Sequence, residues 1–129
     1  MPANLAISRI GQIALSAGDL DRATAFYRDV LGMKFLFSAP PGMSFFECGG
    51  VRLLIGGPEA GGGAHAATTL FYFVPDIRDA VRVLTERGVA FDRDPMMIAK
   101  LADREVWLAE FKDSEGNSAA LMSEVPLAS

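Results

Sequence analysis

Residues from about Ile7 to Leu15 read as a strand, in which Gln12 and Ala14 fall on the face opposite Ile13 and Leu15. Asp19 then stands where a helix N-cap belongs, and Leu20, Ala23, Phe26, Tyr27, Val30 and Leu31 recur at helical spacing until Gly32. Three short apolar runs follow: Met33 to Phe37, Met43 to Cys48 and Val51 to Ile55. They are separated by Ala39-Pro40-Pro41-Gly42 and by Gly49-Gly50, so they predict three more strands. The order is βαβββ.

A stretch from Gly56 to Gly63, rich in glycine and proline, has almost nothing to bury and reads as a linker. Beyond it the cycle restarts. Thr68 to Val74 predicts a strand, Asp76 caps a helix with Ile77, Ala80, Val81 and Leu84 on one face, and Gly88 closes it. Val89 to Phe91 is expected to begin the next strand, Glu105 to Phe111 the one after, and Ser118 to Met122 the last. Setting Asp19 on Asp76 pairs Leu20 with Ile77 and Ala23 with Ala80, an internal repeat at an offset of about 57 residues.

The predicted fold class is α+β, with two tandem βαβββ modules forming a curved mixed sheet with a concave cleft. Half-module 1 spans about 7–56, the linker about 57–67 and half-module 2 about 68–124, all within one domain covering 1–129. A helix covers only one face of each half's sheet, so the other face needs the sister half or a second chain. Pairing within the chain and swapping between chains are both open, and a homodimer is expected.

Composition narrows the class. With 129 residues, half of them apolar, the chain can build one core without disulfides. Cys48 is its one cysteine, and the N-terminus shows no basic stretch followed by an apolar run, so a cytoplasmic protein is expected. No apolar run approaches a membrane span, and a net charge of −4 with both signs interspersed offers no cationic stripe for nucleic acid. Neither a membrane nor a nucleic acid is an expected partner.

Several segments carry a family resemblance: Gly11-Gln12-Ile13-Ala14-Leu15, Asp19-Leu20-Asp21-Arg22-Ala23, and Phe26-Tyr27-Arg28-Asp29-Val30-Leu31-Gly32-Met33 in the first half. Val74-Pro75-Asp76-Ile77, Arg87-Gly88-Val89 and Asp113-Ser114-Glu115-Gly116-Asn117 follow in the second. In that order they resemble the vicinal oxygen chelate superfamily of glyoxalases, bleomycin resistance proteins and extradiol dioxygenases. Metal-using members place histidine or glutamate on the first and fourth strands of each half. The resemblance puts those positions on Gln12 and Thr69, and most plausibly on Leu54 and Ala120. None of these four is a carboxylate or an imidazole, so no metal and no other cofactor is expected.

Alternation puts Gln12 on the cleft face, where its amide either orients a ligand or is satisfied by a neighbouring strand. Thr69 shares a face with Phe71 and Phe73 and is equally an ordinary strand residue. Arg52 and Arg104 could clamp an anion or lie solvated. Glu110, and less so Glu47, could serve as a base in a closed cleft or simply face water. Phe71, Phe73, Met96, Met97, Trp107 and Met122 could wall an apolar pocket or pack a core. His65 sits beside the linker and reads as solvated, and Cys48 as a small buried apolar group.

The expected function is metal-independent binding of an apolar or aromatic small molecule by Gln12, Arg52, Leu54, Thr69, Phe71, Arg104, Trp107, Glu110, Ala120 and Met122. The alternative is a glyoxalase-like metal-dependent lyase, isomerase or dioxygenase drawing donors from Glu47, Glu110 or His65. A ligand-free interaction subunit is the third class.

Overall fold

The computed structural model describes residues 9–60 and 69–127. The first half contains β1 (Gln12–Ser16), α1 (Leu20–Ala25, continued by a π-helical turn Phe26–Val30), β2 (Lys34–Ala39), β3 (Met43–Cys48) and β4 (Val51–Gly56). A short 3₁₀ turn at Pro58–Ala60 follows. The second half contains β5 (Leu70–Phe73), α2 (Ile77–Glu86), β6 (Met96–Lys100), β7 (Arg104–Lys112) and β8 (Ser118–Pro126).

Each half makes one four-stranded mixed sheet, in the orders β1-β4-β3-β2 and β5-β8-β7-β6. In both, the first strand runs parallel to the fourth while the other pairings are antiparallel. The helix is the crossover that lets the first strand return beside the fourth. Asp19 Oδ1 accepts from the Arg22 amide at 3.0 Å, and Asp76 Oδ1 from the Asp79 amide at 3.1 Å, so equivalent side chains start the two helices. Each second strand carries a bulge, between Phe35 and Phe37 and between Met97 and Ala99. The hairpin β3–β4 turns on Gly49 and Gly50, both at positive φ, which a two-residue turn of this hand requires. Two tandem βαβββ modules are therefore present.

One expected strand is displaced. Val89 to Phe91 forms no ladder; Phe91 makes a single bridge to Phe111, and Val89 is buried in the core instead. Asp92-Arg93-Asp94-Pro95 separates it from the strand that does form, Met96–Lys100, because three charges and a proline disfavour a buried ladder. His65 and most of the expected linker lie outside the described residues.

Two apolar clusters hold the halves. Ala23, Tyr27, Phe46, Leu53 and Ile55 centre the first; Ile77, Leu84, Ala109, Phe111 and Leu121 centre the second. The seam between them is part of both, since Phe26, Val30 and Leu31 pack on the second cluster and Leu70 on the first. The two halves thus close on each other through their helix-covered sides.

Polar contacts across this seam converge on the Asp113–Asn117 turn. Asp113 Oδ1 accepts from the amides of Glu115 and Asn117 at 2.8 Å, so the turn is built around its own carboxylate. Its Oδ2 accepts from Tyr27 Oη at 2.7 Å, and Asn117 Nδ2 donates to the Ser16 carbonyl at 2.9 Å. Glu115, its side chain 1% exposed, accepts from Arg22 Nε at 2.7 Å and Nη2 at 3.0 Å, and from the Asp19 amide at 2.9 Å. A bidentate guanidinium contact satisfies both oxygens of a carboxylate that burial alone would neutralise.

Arg22 therefore holds the Glu115 carboxyl down at about 2 against the cost of burial, with the Asp19 amide and Ser114 hydroxyl helping. The folded state keeps this proton off more strongly than the unfolded chain does. Its contribution is complete above the ordinary value of 4.5 and is lost as pH falls towards 2. Glu115→Gln is expected to lower the urea midpoint at neutral pH, with the gap from wild type closing between pH 4.5 and 2. Tyr27→Phe is expected to cost about 1–2 kcal/mol in the same measurement, by removing one donor from the buried Asp113.

Candidate functional site

Period-two alternation leaves one face of each sheet away from its helix. In the first sheet Ile13, Leu15, Phe46, Leu53 and Ile55 face α1, so Gln12, Ala14, Arg52, Leu54, Phe45 and Glu47 share the open face. The registers give two rows across it. Gln12 lies beside Arg52 and Arg52 beside Glu47; one step along, Ala14 lies beside Leu54 and Leu54 beside Phe45. Phe37 stacks on Phe45 at 4.6 Å between ring centroids, and the Arg52 guanidinium stands 6.0 Å from the Phe45 ring.

In the second sheet Tyr72, Ala109, Phe111, Ala119 and Leu121 face α2. Phe71, Phe73, Glu110, Ala120 and Met122 occupy the open face, in the rows Phe71, Ala120, Glu110 and Phe73, Met122, Leu108, Met96. Phe71 and Phe73 are 52% and 62% exposed. Thr69 immediately precedes β5, in phase with them. Arg104 is at the far end of the same face, paired to Asp103 and to Glu124 at 2.7 Å.

Nine of the ten expected ligand residues thus divide between two open faces: Gln12, Arg52 and Leu54 on one, Thr69, Phe71, Arg104, Glu110, Ala120 and Met122 on the other. Trp107 is not with them. It points to the helix side, packs on the second cluster, donates to Glu105 at 3.1 Å and lies 5.3 Å beneath the Arg78 guanidinium. Strand phase relative to Glu110 was enough to place it there. The neighbour of Gln12 on the fourth strand is Arg52, with Leu54 one step further along beside Ala14. Glu47 accepts from the Gly50 amide at 2.7 Å, which closes the β3–β4 turn.

A divalent cation fits this donor set poorly. Gln12 and Thr69 offer one neutral oxygen each, Arg52 beside Gln12 is a cation, Leu54, Phe71 and Ala120 have no side-chain donors, and the carboxylates Glu47 and Glu110 stand on different faces. Among the described residues no three His, Cys, Asp or Glu side chains converge as ligands. What the faces can do is stack flat apolar groups on Phe45, Phe37, Phe71 and Phe73, with Gln12 and Arg52 supplying polar handles.

A cavity of about 360 Å³ lies elsewhere, at the seam, lined by Leu31, Met33, Cys48, Tyr72, Leu84 and Arg87 among others. Burial and the neighbouring Glu47 push the Cys48 thiol up, so it stays protonated near neutrality. Sequence reasoning did not reach this cavity, because its walls come from both halves.

With the fold and its open faces described, the family can be stated. The profile of the Glyoxalase/Bleomycin resistance protein/Dioxygenase superfamily matches residues 9–121, and the chain belongs to that superfamily. A solved lactoylglutathione lyase from Agrobacterium tumefaciens is 23% identical over 92% of this chain and 95% of its own, with a TM-score of 0.77. A superfamily member from Sphaerobacter thermophilus is 25% identical over 93% and 100%, with a TM-score of 0.74. An integron cassette protein from the mobile metagenome of V. cholerae is 22% identical over 94% and 98%, with a TM-score of 0.76. No curated protein matches the chain significantly.

If the open-face aromatics are not needed for folding, their removal should be nearly neutral. Phe71→Ala is expected to change stability by no more than about 0.5 kcal/mol at low protein concentration. Phe111→Ala, in the second cluster, is expected to cost about 3–5 kcal/mol. Urea titrations of the two variants check the contrast.

Proposed function

We propose that this superfamily member binds an apolar or aromatic small molecule without a metal, on the open sheet faces, and works as a homodimer. One observation supports the reading: the position beside Gln12 holds a guanidinium, and the next row along is apolar in both halves, Ala14 beside Leu54 and Phe71 beside Ala120. An arginine there repels a cation and attracts a carbonyl or an anionic group. Gln12 and Arg52 orient the ligand's polar end; Leu54, Phe71 and Met122 contact its apolar body, and Ala120 is buried in the row between Phe71 and Glu110. Glu110, Thr69 and Arg104 border the second face.

Exposure supports the homodimer. Phe37, Phe71, Phe73 and Met96 are each more than 40% exposed, and a second copy that brings one chain's first face to the other's second face would cover them. No helix among the described residues is long and apolar enough to cross a membrane, and the proposed setting is the cytoplasm. Light scattering is expected to give twice the mass of the 13.8 kDa chain.

A thermal-shift screen of hydrophobic metabolites and antibiotics tests the ligand class. The expected result is stabilisation by a flat apolar compound, weakened by Arg52→Gln and by Phe71→Ala. Absence of any such stabilisation speaks against it. Elemental analysis tests the alternative of a metal-dependent lyase, isomerase or dioxygenase. Stoichiometric zinc, nickel, iron or manganese surviving dialysis would favour that alternative.

A further inference from the structure

The two halves repeat each other, so their departures from symmetry show where one has been altered. At the offset of 57 residues, Phe26 and Tyr27 of the first half correspond to Val83 and Leu84 of the second; past the π-helical turn the offset slips to 56, so Leu31 and Gly32 correspond to Arg87 and Gly88. The strand registers align Cys48, paired with Val51, with Asp113, whose amide bonds the Asn117 carbonyl. Arg87 Nη1 donates to the Val30 carbonyl at 2.8 Å across the seam.

On one side of that relation the seam is filled. Phe26 and Tyr27 pack across it, and the Asp113–Asn117 turn closes over Tyr27. On the other side the two ring positions and the turn are smaller. Val83 and Leu84 replace two aromatic rings, and the two-glycine turn after Cys48 replaces the longer Asp113–Asn117 turn. The space that remains is the cavity of about 360 Å³, which both Val83 and Leu84 line.

Its lining has a particular chemistry. Leu31, Met33, Val83, Leu84 and Leu121 make the walls apolar. Arg87 stands where the first half has Leu31, and among the described residues it forms no ion pair. The Tyr72 hydroxyl is buried beside that of Tyr27, and burial pushes its proton affinity up, so it stays protonated. The volume is at the small end of the range for ligand pockets.

We propose that this seam cavity is a second binding site, separate from the open sheet faces, for a small apolar monocarboxylate. The carboxylate meets Arg87, and the hydrocarbon or ring lies against Leu31, Met33, Val83 and Leu84. A neutral molecule of the same shape forgoes the charge-assisted contact.

Calorimetric titration of the full chain with octanoate, and with 1-octanol as the uncharged control, tests this. Wild type is expected to bind octanoate saturably and 1-octanol about tenfold more weakly. Arg87→Gln is expected to weaken octanoate about tenfold. Val83→Phe, which restores the ring that the first half carries at Phe26, is expected to abolish binding. Phe71→Ala and Arg52→Gln should leave octanoate binding unchanged, which separates this site from the open faces. Absence of saturable octanoate binding by wild type overturns the proposal. So does equal binding by Arg87→Gln, or a loss seen with Phe71→Ala instead; Arg87→Gln alone decides if Val83→Phe does not fold.

Discussion

The seam between the halves depends on one buried carboxylate pair. Asp113 organises its own turn and accepts from Tyr27, while Glu115 draws Arg22 and the start of α1 onto the same turn. An unpaired buried carboxylate would be costly, so each constrains where the other half must lie. Because these contacts join the halves on their helix-covered sides, both sheets turn their uncovered faces outward. Everything available for binding follows from that orientation.

The two faces share a topology and differ in chemistry. The first offers an amide, a guanidinium and a stacked pair of phenylalanines. The second offers two exposed phenylalanines, an alanine and a methionine. The carboxylates Glu47, beside Arg52, and Glu110, beside Ala120, stand on different faces, and among the described residues no three acidic, histidine or cysteine side chains converge. The same divergence between repeats, acting at the seam, fills one side with Phe26 and Tyr27 and leaves the other hollow beside Val83 and Leu84.

Much of the fold was legible in the residue pattern. Asp19 and Asp76 announced both helices, and paired glycines and prolines marked the turns, because capping and turn chemistry are local. The displaced strand at Met96–Lys100 was not legible: Val89 and Phe91 are apolar for burial under a loop, which alternation alone cannot distinguish from strand packing. For the site, alternation grouped Gln12 with Ala14 and Thr69 with Phe71. It could not supply register, and register makes Arg52 rather than Leu54 the neighbour of Gln12. The Asp113–Asn117 segment was visible as a motif, but its grip on Tyr27 and Arg22 spans more than eighty residues and needs the folded chain.

The central claim is that the open faces carry no cation site, and a paramagnetic titration interrogates it residue by residue. Manganese(II) added to the ¹⁵N-labelled protein broadens amide signals near any bound ion. The account predicts no selective broadening at Gln12, Arg52, Phe71 or Ala120 as manganese is raised. Saturable loss of those signals together, reversed by a chelator, would contradict it.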